Sequence, residues 1–378
     1  MSGLVHFRRG TSVLALLLLI SPIARSSFAS VEYAPVFPLA SKSLLLGLAS
    51  AGDRIVAVGE RGHILYSDNA GDSWTQAKVP TRQMLTAVHF VDQRRGWSVG
   101  HDGLVLVSDD GGVGWRIQRD GIVAQAQANL SARERAHQKI RSLEAAAATA
   151  EGEQATELAL QLEDANMDLE DADLALQEAV FTSPLMDVWF QDKEHGWAVG
   201  AFGTLLATED GGSTWRDDSK RLQNPDEFHL NAVTGDGAGR VFIAGEGGTM
   251  YRSKDSGLTW EALPIFYQGS WFGLVYAPDP EVLLVFGLRG NLYRSTDFGE
   301  SWDVITNDSQ ATIAGGSADA RGRIVLVGAI GTLLQSRDGG LSFDLSTLGD
   351  RLNLSSAIHH GERLIFVGQG GIKVRDSE

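Results

Sequence analysis

The stretch VGERGHILYSDNAGDSW, residues 58–74, returns as VGHDGLVLVSDDGGVGW at residues 99–115, and this repetition decides the fold. Further copies run over residues 199–215, 244–260 and 286–302, and a sixth over 327–343, where Phe343 replaces the closing tryptophan. A seventh begins at Val367-Gly368 and carries no acidic turn after it. The leading glycines are Gly59, Gly100, Gly200, Gly245, Gly287, Gly328 and Gly368, separated by 41, 100, 45, 42, 41 and 40 residues. A period near 41 with four short strands per copy is the signature of a propeller blade. The one long step is a blade plus about 59 further residues.

Each copy reads as strand, strand, turn, strand, acidic turn, strand. Alternating segments such as LTAVHF (Leu85–Phe90) and LMDVWF (Leu185–Phe190) precede GWSVG or GWAVG, as expected of strands packed between neighbouring blades. Asp110, Asp210, Asp255, Asp297 and Asp338 fall in the turn before the last strand, and Asn69 takes their place in the first copy. A turn carboxylate accepts local N–H groups, and the glycine two residues later supplies positive φ. These acids are therefore expected to be structural. The expected fold class is all-β: a seven-bladed β-propeller interrupted by an α-helical, coiled-coil hairpin. The last copy supplies three strands, and residues 31–40 are expected to add its outer strand and close the ring.

Residues 122–182 break the period. They lack proline and are rich in Ala, Glu, Gln and Leu. Leu158, Leu162, Ala165, Leu169, Ala172, Leu176 and Ala179 repeat at alternating steps of four and three, a coiled-coil seam. A weaker stripe at Leu130, Ile140 and Leu143 suggests a partner helix, with Gly152 between the two. This segment carries 12 acidic and 4 basic residues, a net of −8, half of the formal −16 of the whole 378-residue chain. It reads either as a solvated spur or as a docking arm. Such acidity argues against nucleic acid as a partner.

At the N-terminus, Arg8-Arg9, an apolar run from Val13 to Ile20 and small residues up to Ala29 have the form of a cleavable secretory signal. The expected layout is a signal at 1–29, blades 1 and 2 with the closing strand at 30–121, the hairpin at 122–182 and blades 3–7 at 183–378. The expected location is periplasmic or secreted. With no cysteine, disulfides, thiolate metal sites, cysteine nucleophiles and a lipoprotein anchor are excluded. No phosphate loop, metal-ligand spacing or catalytic triad stands out, so neither a cofactor, a metal nor a catalytic residue is assigned.

Strands alternate in direction, so the turns between second and third strands share a face with the blade-to-blade connections, hairpin included. The acidic turns lie on the other face. Candidate partner contacts on the first face are Arg61, His101, Asp102, Phe202, Trp271 and Arg289, polar and aromatic residues at the tips of rigid strands. First strands are expected to enter the central channel at Leu44, Leu85, Leu185, Leu230, Phe272, Ile313 and Asn353, a mostly apolar column.

The pairing of GWAVG (Gly196–Gly200) with S/T-x-D-G-G-x-S/T-W, repeated around a secreted ring, resembles the photosystem II stability and assembly factor family, a branch of the Asp-box (BNR) propellers. The resemblance runs from Leu44 to Val374 apart from the insertion. It implies a non-enzymatic protein that helps assemble a membrane protein complex from the lumenal or periplasmic side. Many relatives in non-photosynthetic bacteria accompany RND-type exporters, and the insertion favours that branch. The alternative is an Asp-box glycoside hydrolase, sialidase-like, or a carbohydrate-binding propeller. That chemistry needs a carboxylate pair, for which Glu60 and Glu246 are the candidates, and an arginine cluster; Arg61, Arg82, Arg289 and Arg351 are instead spread over the blade turns, and Tyr267 is the one tyrosine in a face loop.

Overall fold

The computed structural model describes residues 32–278 and 281–376. The expected signal segment, residues 1–29, lies outside the described residues.

Seven small antiparallel sheets follow one another along the chain, six with four strands and the last with three. Their innermost strands are Leu45–Ala51, Leu85–Phe90, Leu185–Phe190, Leu230–Gly235, Trp271–Pro278, Ile313–Ala318 and Leu354–His360. Each packs against its neighbour, and the seventh returns to the first, so the sheets form a closed ring. The second strand of each sheet is apolar along most of its length because both its faces meet a neighbouring sheet, as with Gly96–Gly100 and Gly196–Gly200. One apolar cluster fills each of the seven inter-sheet gaps. Trp97 of the second sheet, for example, stacks on Phe190 of the third with ring centroids 3.5 Å apart.

The acidic turns hold the outer strands. In the second sheet, Asp110 Oδ1 accepts the N–H groups of Val113 and Gly114 and the hydroxyl of Ser108, whose Oγ in turn accepts the Gly112 N–H. Trp115 Nε1 donates to the Gly112 carbonyl at 3.0 Å, fixing the ring over the gap to the neighbouring sheet. Asn69 reproduces the same role through its Oδ1. Each of these turns is also gripped from the preceding sheet. Arg54 donates to the Gly111 carbonyl, Arg95 to Gly211, Arg252 to Phe298 and Arg294 to Gly339.

Ring closure differs from the expectation. Residues 32–40 form no strand on the seventh sheet, whose outermost strand among the described residues is Lys373–Asp376. They run instead beside the outer strand of the first sheet. The Ala34 N–H donates to the Val79 carbonyl, and Gln76 bridges Pro35 and Phe37 through its amide. The physical reason is that an apolar gap and an arginine clamp already join the ends. Leu45, Ile55 and Leu65 pack on Ile358, Ile365 and Val367, and Arg363 donates to the Ala70 carbonyl while pairing with Asp72 at 2.6 Å. The N-terminal segment meets the last sheet where the Ile372 N–H donates to the Ser41 carbonyl and Ala40 packs beside Ile358 and Ile372.

Between the second and third sheets lie two helices, α1 (Gly121–Ala147) and α2 (Gly152–Gln177). Asp120 caps α1 by accepting the Val123 N–H. Gly152 is the first residue of α2, at φ +62°, rather than a spacer. Ion pairs Arg133–Asp173 (2.8 Å) and Lys139–Asp168 (2.9 Å) show that the helices run antiparallel. On the seam Ala136, Ala165 and Ala172 are buried and Leu158, Leu162, Leu169, Leu176, Ile140 and Leu143 are half-buried, whereas Leu130, expected on it, is exposed. No helix among the described residues is long and apolar enough to cross a membrane.

Candidate functional site: the ring of second-to-third-strand turns

The repeated VG-x-x-G phrase builds a three-residue turn in each of the first six blades, and its glycines have separate reasons. The first residue of each turn donates its N–H to the carbonyl just before the innermost strand: Glu60 to Leu44, His101 to Met84, Ala201 to Pro184, Glu246 to His229, Leu288 to Ser270 and Ala329 to Thr312. That carbonyl comes so close that a Cβ on Gly59 would lie 2.2 Å from the Leu44 oxygen. The last glycine, such as Gly62 at φ +71°, completes the reversal.

The middle residue of each turn is left-handed as well, and in five of six it is not glycine. Arg61, Asp102, Phe202, Arg289 and Ile330 sit at φ between 52° and 57°. In the fourth blade the same position is Gly247, at φ 63°. Left-handed backbone costs a non-glycine residue roughly 1–2 kcal/mol, and a β-branched residue such as isoleucine is a marked outlier there. The fold accepts glycine at this place, so the backbone does not demand these side chains. They point outward: Phe202 is 50% and Ile330 57% exposed, and Arg61 and Arg289 are exposed too.

Around this ring the surface is uneven. At the third blade, Phe202 meets Phe181, just beyond α2, edge-on at 6.0 Å, and His229 at 5.0 Å. Both phenylalanines remain largely open to water. At the first blade, Arg61 lies over the Phe37 ring at 5.8 Å. Arg61 and Arg289 make no ion pair among the described residues. His101 is exposed, while Asp102 is half-buried and accepts from Gln83. α1 packs on the His101–Gly103 turn, so the helices rise from this face, on the side the topology requires.

One candidate contact is misplaced. Trp271 is 0% exposed, enclosed by Tyr267, Phe266 and Tyr293 in the gap between the fourth and fifth sheets. It pairs with Gly287 as Leu85 pairs with Gly100, so it is the first residue of its strand, not a connection residue. The channel column is displaced at every expected position but Phe272, which does line the channel. Leu85, Leu185, Leu230 and Ile313 are fully buried between sheets. A bulge follows in every one of these strands, and the next residue turns inward: Leu46, Thr86, Met186, Asn231, Phe272, Ala314 and Ser355 line the channel. The lining is therefore more polar than expected.

Deeper in the channel are two titratable groups. Burial pushes the Asp187 carboxyl up to about 7, although it accepts the N–H groups of Val233 and Val188. Burial pushes the His89 imidazole down to about 4, against the pull of its hydrogen bond with the Phe190 carbonyl. Both groups bridge neighbouring blades. Glu60 and Glu246, the carboxylates a glycosidase reading would use, are engaged locally. Glu60 accepts the Leu44 N–H, and Glu246 accepts the His229 N–H.

The profile of the family described as photosynthesis system II assembly factor YCF48 matches residues 51–137 and 169–335, and the chain belongs to that family. The unmatched stretch, 138–168, covers the outer halves of α1 and α2. The photosystem II assembly lipoprotein Ycf48 of Synechococcus sp. (strain CC9902) is 36% identical over 78 residues, 21% of this chain and 23% of that protein. The photosystem II assembly protein Ycf48 of Thermosynechococcus vestitus (strain NIES-2133 / IAM M-273 / BP-1) is 28% identical over 146 residues, 28% of this chain and 42% of that protein. The chain thus spans less than half the length of either curated relative. Among solved structures, YCF48 bound to a D1 peptide has a TM-score of 0.59 at 15% identity, covering 89% of this chain and 94% of that one. YCF48 from Cyanidioschyzon merolae has 0.56 at 14%, covering 92% and 98%. The WD40 propeller domain of Doa1 has 0.56 at 11%, covering 92% and 96%. At these identities the structural likeness shows the β-propeller fold.

Proposed function

We propose that this family member is a non-enzymatic assembly scaffold that holds a polypeptide segment of a membrane-protein partner on its ring of turns. The observation that carries this reading is the set of exposed left-handed apices at Arg61, Phe202, Arg289 and Ile330. Strain held where glycine would serve, with the side chain aimed at solvent, points to a binding role. Exposed Phe181 and Phe202 supply an apolar anchor, and Arg61 and Arg289 supply unpaired cations for carboxylates or carbonyls of the segment. A fold relative whose structure carries a D1 peptide is in keeping with a protein ligand.

The signal-like N-terminus favours a periplasmic setting. The outer parts of the helices, residues 138–168, fall between the two stretches that the family profile matches and favour a complex other than a photosystem, such as an RND-type exporter, with the helices as a second contact region. The local engagement of Glu60 and Glu246 weighs against a glycosidase.

A photo-cross-linking residue placed in turn at Phe202, Ile330, Val113 and Leu341 tests this in cells. Val113 and Leu341 are exposed on the acidic-turn face. Adducts with a membrane protein are expected from Phe202 and Ile330 alone. Adducts only from Val113 or Leu341, or none from any position, would overturn the proposal.

A further inference from the structure

We infer that the outer face of α2 is a docking strip for a basic amphipathic helix of a partner protein. Ala165 and Ala172, buried against α1, define the side of α2 that faces its neighbour. At about 100° per residue, Leu160, Met167 and Leu174 fall on the opposite side, roughly 180° away. They are 61%, 53% and 55% exposed, and they recur at seven-residue steps. A two-helix pair needs one apolar stripe per helix. A second stripe, in register over about 21 Å, has no partner within the described residues.

Charge says what covers it. On α2 the carboxylates turned toward α1, Asp168 and Asp173, are engaged by Lys139 and Arg133. Those that border the outer stripe are not. Glu163 and Glu170 lie along one side and Asp164 and Asp171 along the other, and none of the four forms an ion pair among the described residues. An apolar rail between two acidic rails fits a helix with aliphatic residues at heptad spacing, flanked by Lys and Arg. A second copy of this chain would bring carboxylates against carboxylates, and an anionic membrane surface would be repelled in the same way. Leu160 and Met167 lie within 138–168, the part of the chain that the family profile leaves out. The surface is therefore largely an addition to the family's blades. Its purpose rests on the scaffold reading, but its geometry does not.

The test uses the purified full chain and a fluorescent synthetic helix of about 21 residues, with Leu at heptad a and d positions and Lys on the flanks. A control peptide carries Glu in place of Lys. Anisotropy should give a dissociation constant at least tenfold tighter for the Lys peptide. Leu160→Gln/Met167→Gln/Leu174→Gln should weaken it tenfold or more, with helix content by circular dichroism unchanged because these side chains face water. Glu163→Gln/Asp164→Asn/Glu170→Gln/Asp171→Asn should weaken it similarly and remove the salt dependence. Turn-ring variants at Phe202 and Ile330 should leave it unchanged, which separates failure here from failure of the scaffold reading. Equal binding of the two peptides, or undiminished binding by the apolar triple variant, would overturn the inference. So would self-association in sedimentation that the same triple variant abolishes.

Discussion

The two faces of the ring use the same repeat in opposite ways. On the acidic-turn face each carboxylate is turned into its own loop. Burial alone would raise the Asp297 and Asp338 carboxyls, yet hydrogen bonds from Ser301 and Ser342 outweigh it and hold both at about 2. Left-handed non-glycine residues occur on both faces, at Ala70, Ser256 and Phe298 in the acidic turns, but on the opposite face Phe202 and Ile330 turn their side chains to solvent whereas Phe298 is buried. The first face is chemically conspicuous and structurally occupied. The second varies from blade to blade, from exposed Phe202 and Ile330 to Asp102, which accepts from Gln83. Conspicuous residues in a repeat thus mark the scaffold, and the proposed partner site falls on the irregular positions between them.

The largest expected effect separates the faces by stability. Replacing Asp210, Asp297 and Asp338 together with alanine should lower folding stability by roughly 3 kcal/mol, at about 1 kcal/mol for each solvated, hydrogen-bonded carboxylate in separate blades. Urea unfolding reads this, and partner binding below the transition should be unchanged. The depressed carboxyls also set a direction in pH. Their stabilisation is complete above the ordinary value of 3.8 and is lost as pH falls through about 2, so the triple variant should show less acid sensitivity than the parent.

A smaller effect of opposite sign belongs to the turn ring. Ile330→Gly relieves left-handed strain but adds unfolded-state freedom, so stability should hold or rise by up to about 1 kcal/mol. A loss above 1 kcal/mol would show that the isoleucine is there for packing.

A third effect concerns the channel between the faces. Asp187, raised to about 7, stabilises fully below 3.8 and loses that contribution as pH rises toward 7. His89, lowered to about 4, contributes fully above 6.5 and loses its share as pH falls toward 4. The two trends oppose each other between pH 4 and 6.5. Asp187→Asn should therefore expose a thermal midpoint that falls on acidification across this range. His89→Gln should expose one that falls as pH rises. A parent profile reproduced by both variants would contradict these environments.

Most of the architecture was legible in the sequence because a blade is a local object. Its strands are joined by short turns, and Gly59, Gly62, Asp110 and Trp115 recur wherever those turns recur. Register inside the channel was not legible. The bulge after Leu85 and its equivalents turns the next residue inward, so Leu85, expected in the channel, lies between sheets, and Trp271, expected in a connection, is the first residue of its strand. Closure was misread for a different reason. It depends on a contact between distant parts of the chain, Arg363 with Ala70 and Asp72, which no repeat encodes. The apices escaped notice as strained positions because Phe202 and Ile330 carry no compositional sign of positive φ. Arg61, His101, Asp102, Phe202 and Arg289 were nonetheless placed on the correct face by strand direction alone.

The central claim is that the ring of turns binds and the acidic turns do not. The most direct measurement is recovery of a cross-linked membrane partner by three proteins: the parent, Phe202→Gly/Arg289→Gly/Ile330→Gly, and the triple Asp-to-Ala variant, each assayed below its own thermal midpoint. The account predicts at least a tenfold loss of recovery for the glycine variant at an undiminished midpoint, and parent-like recovery for the alanine variant at a lowered one. Parent-like recovery by the glycine variant, with loss confined to the alanine variant, would contradict it.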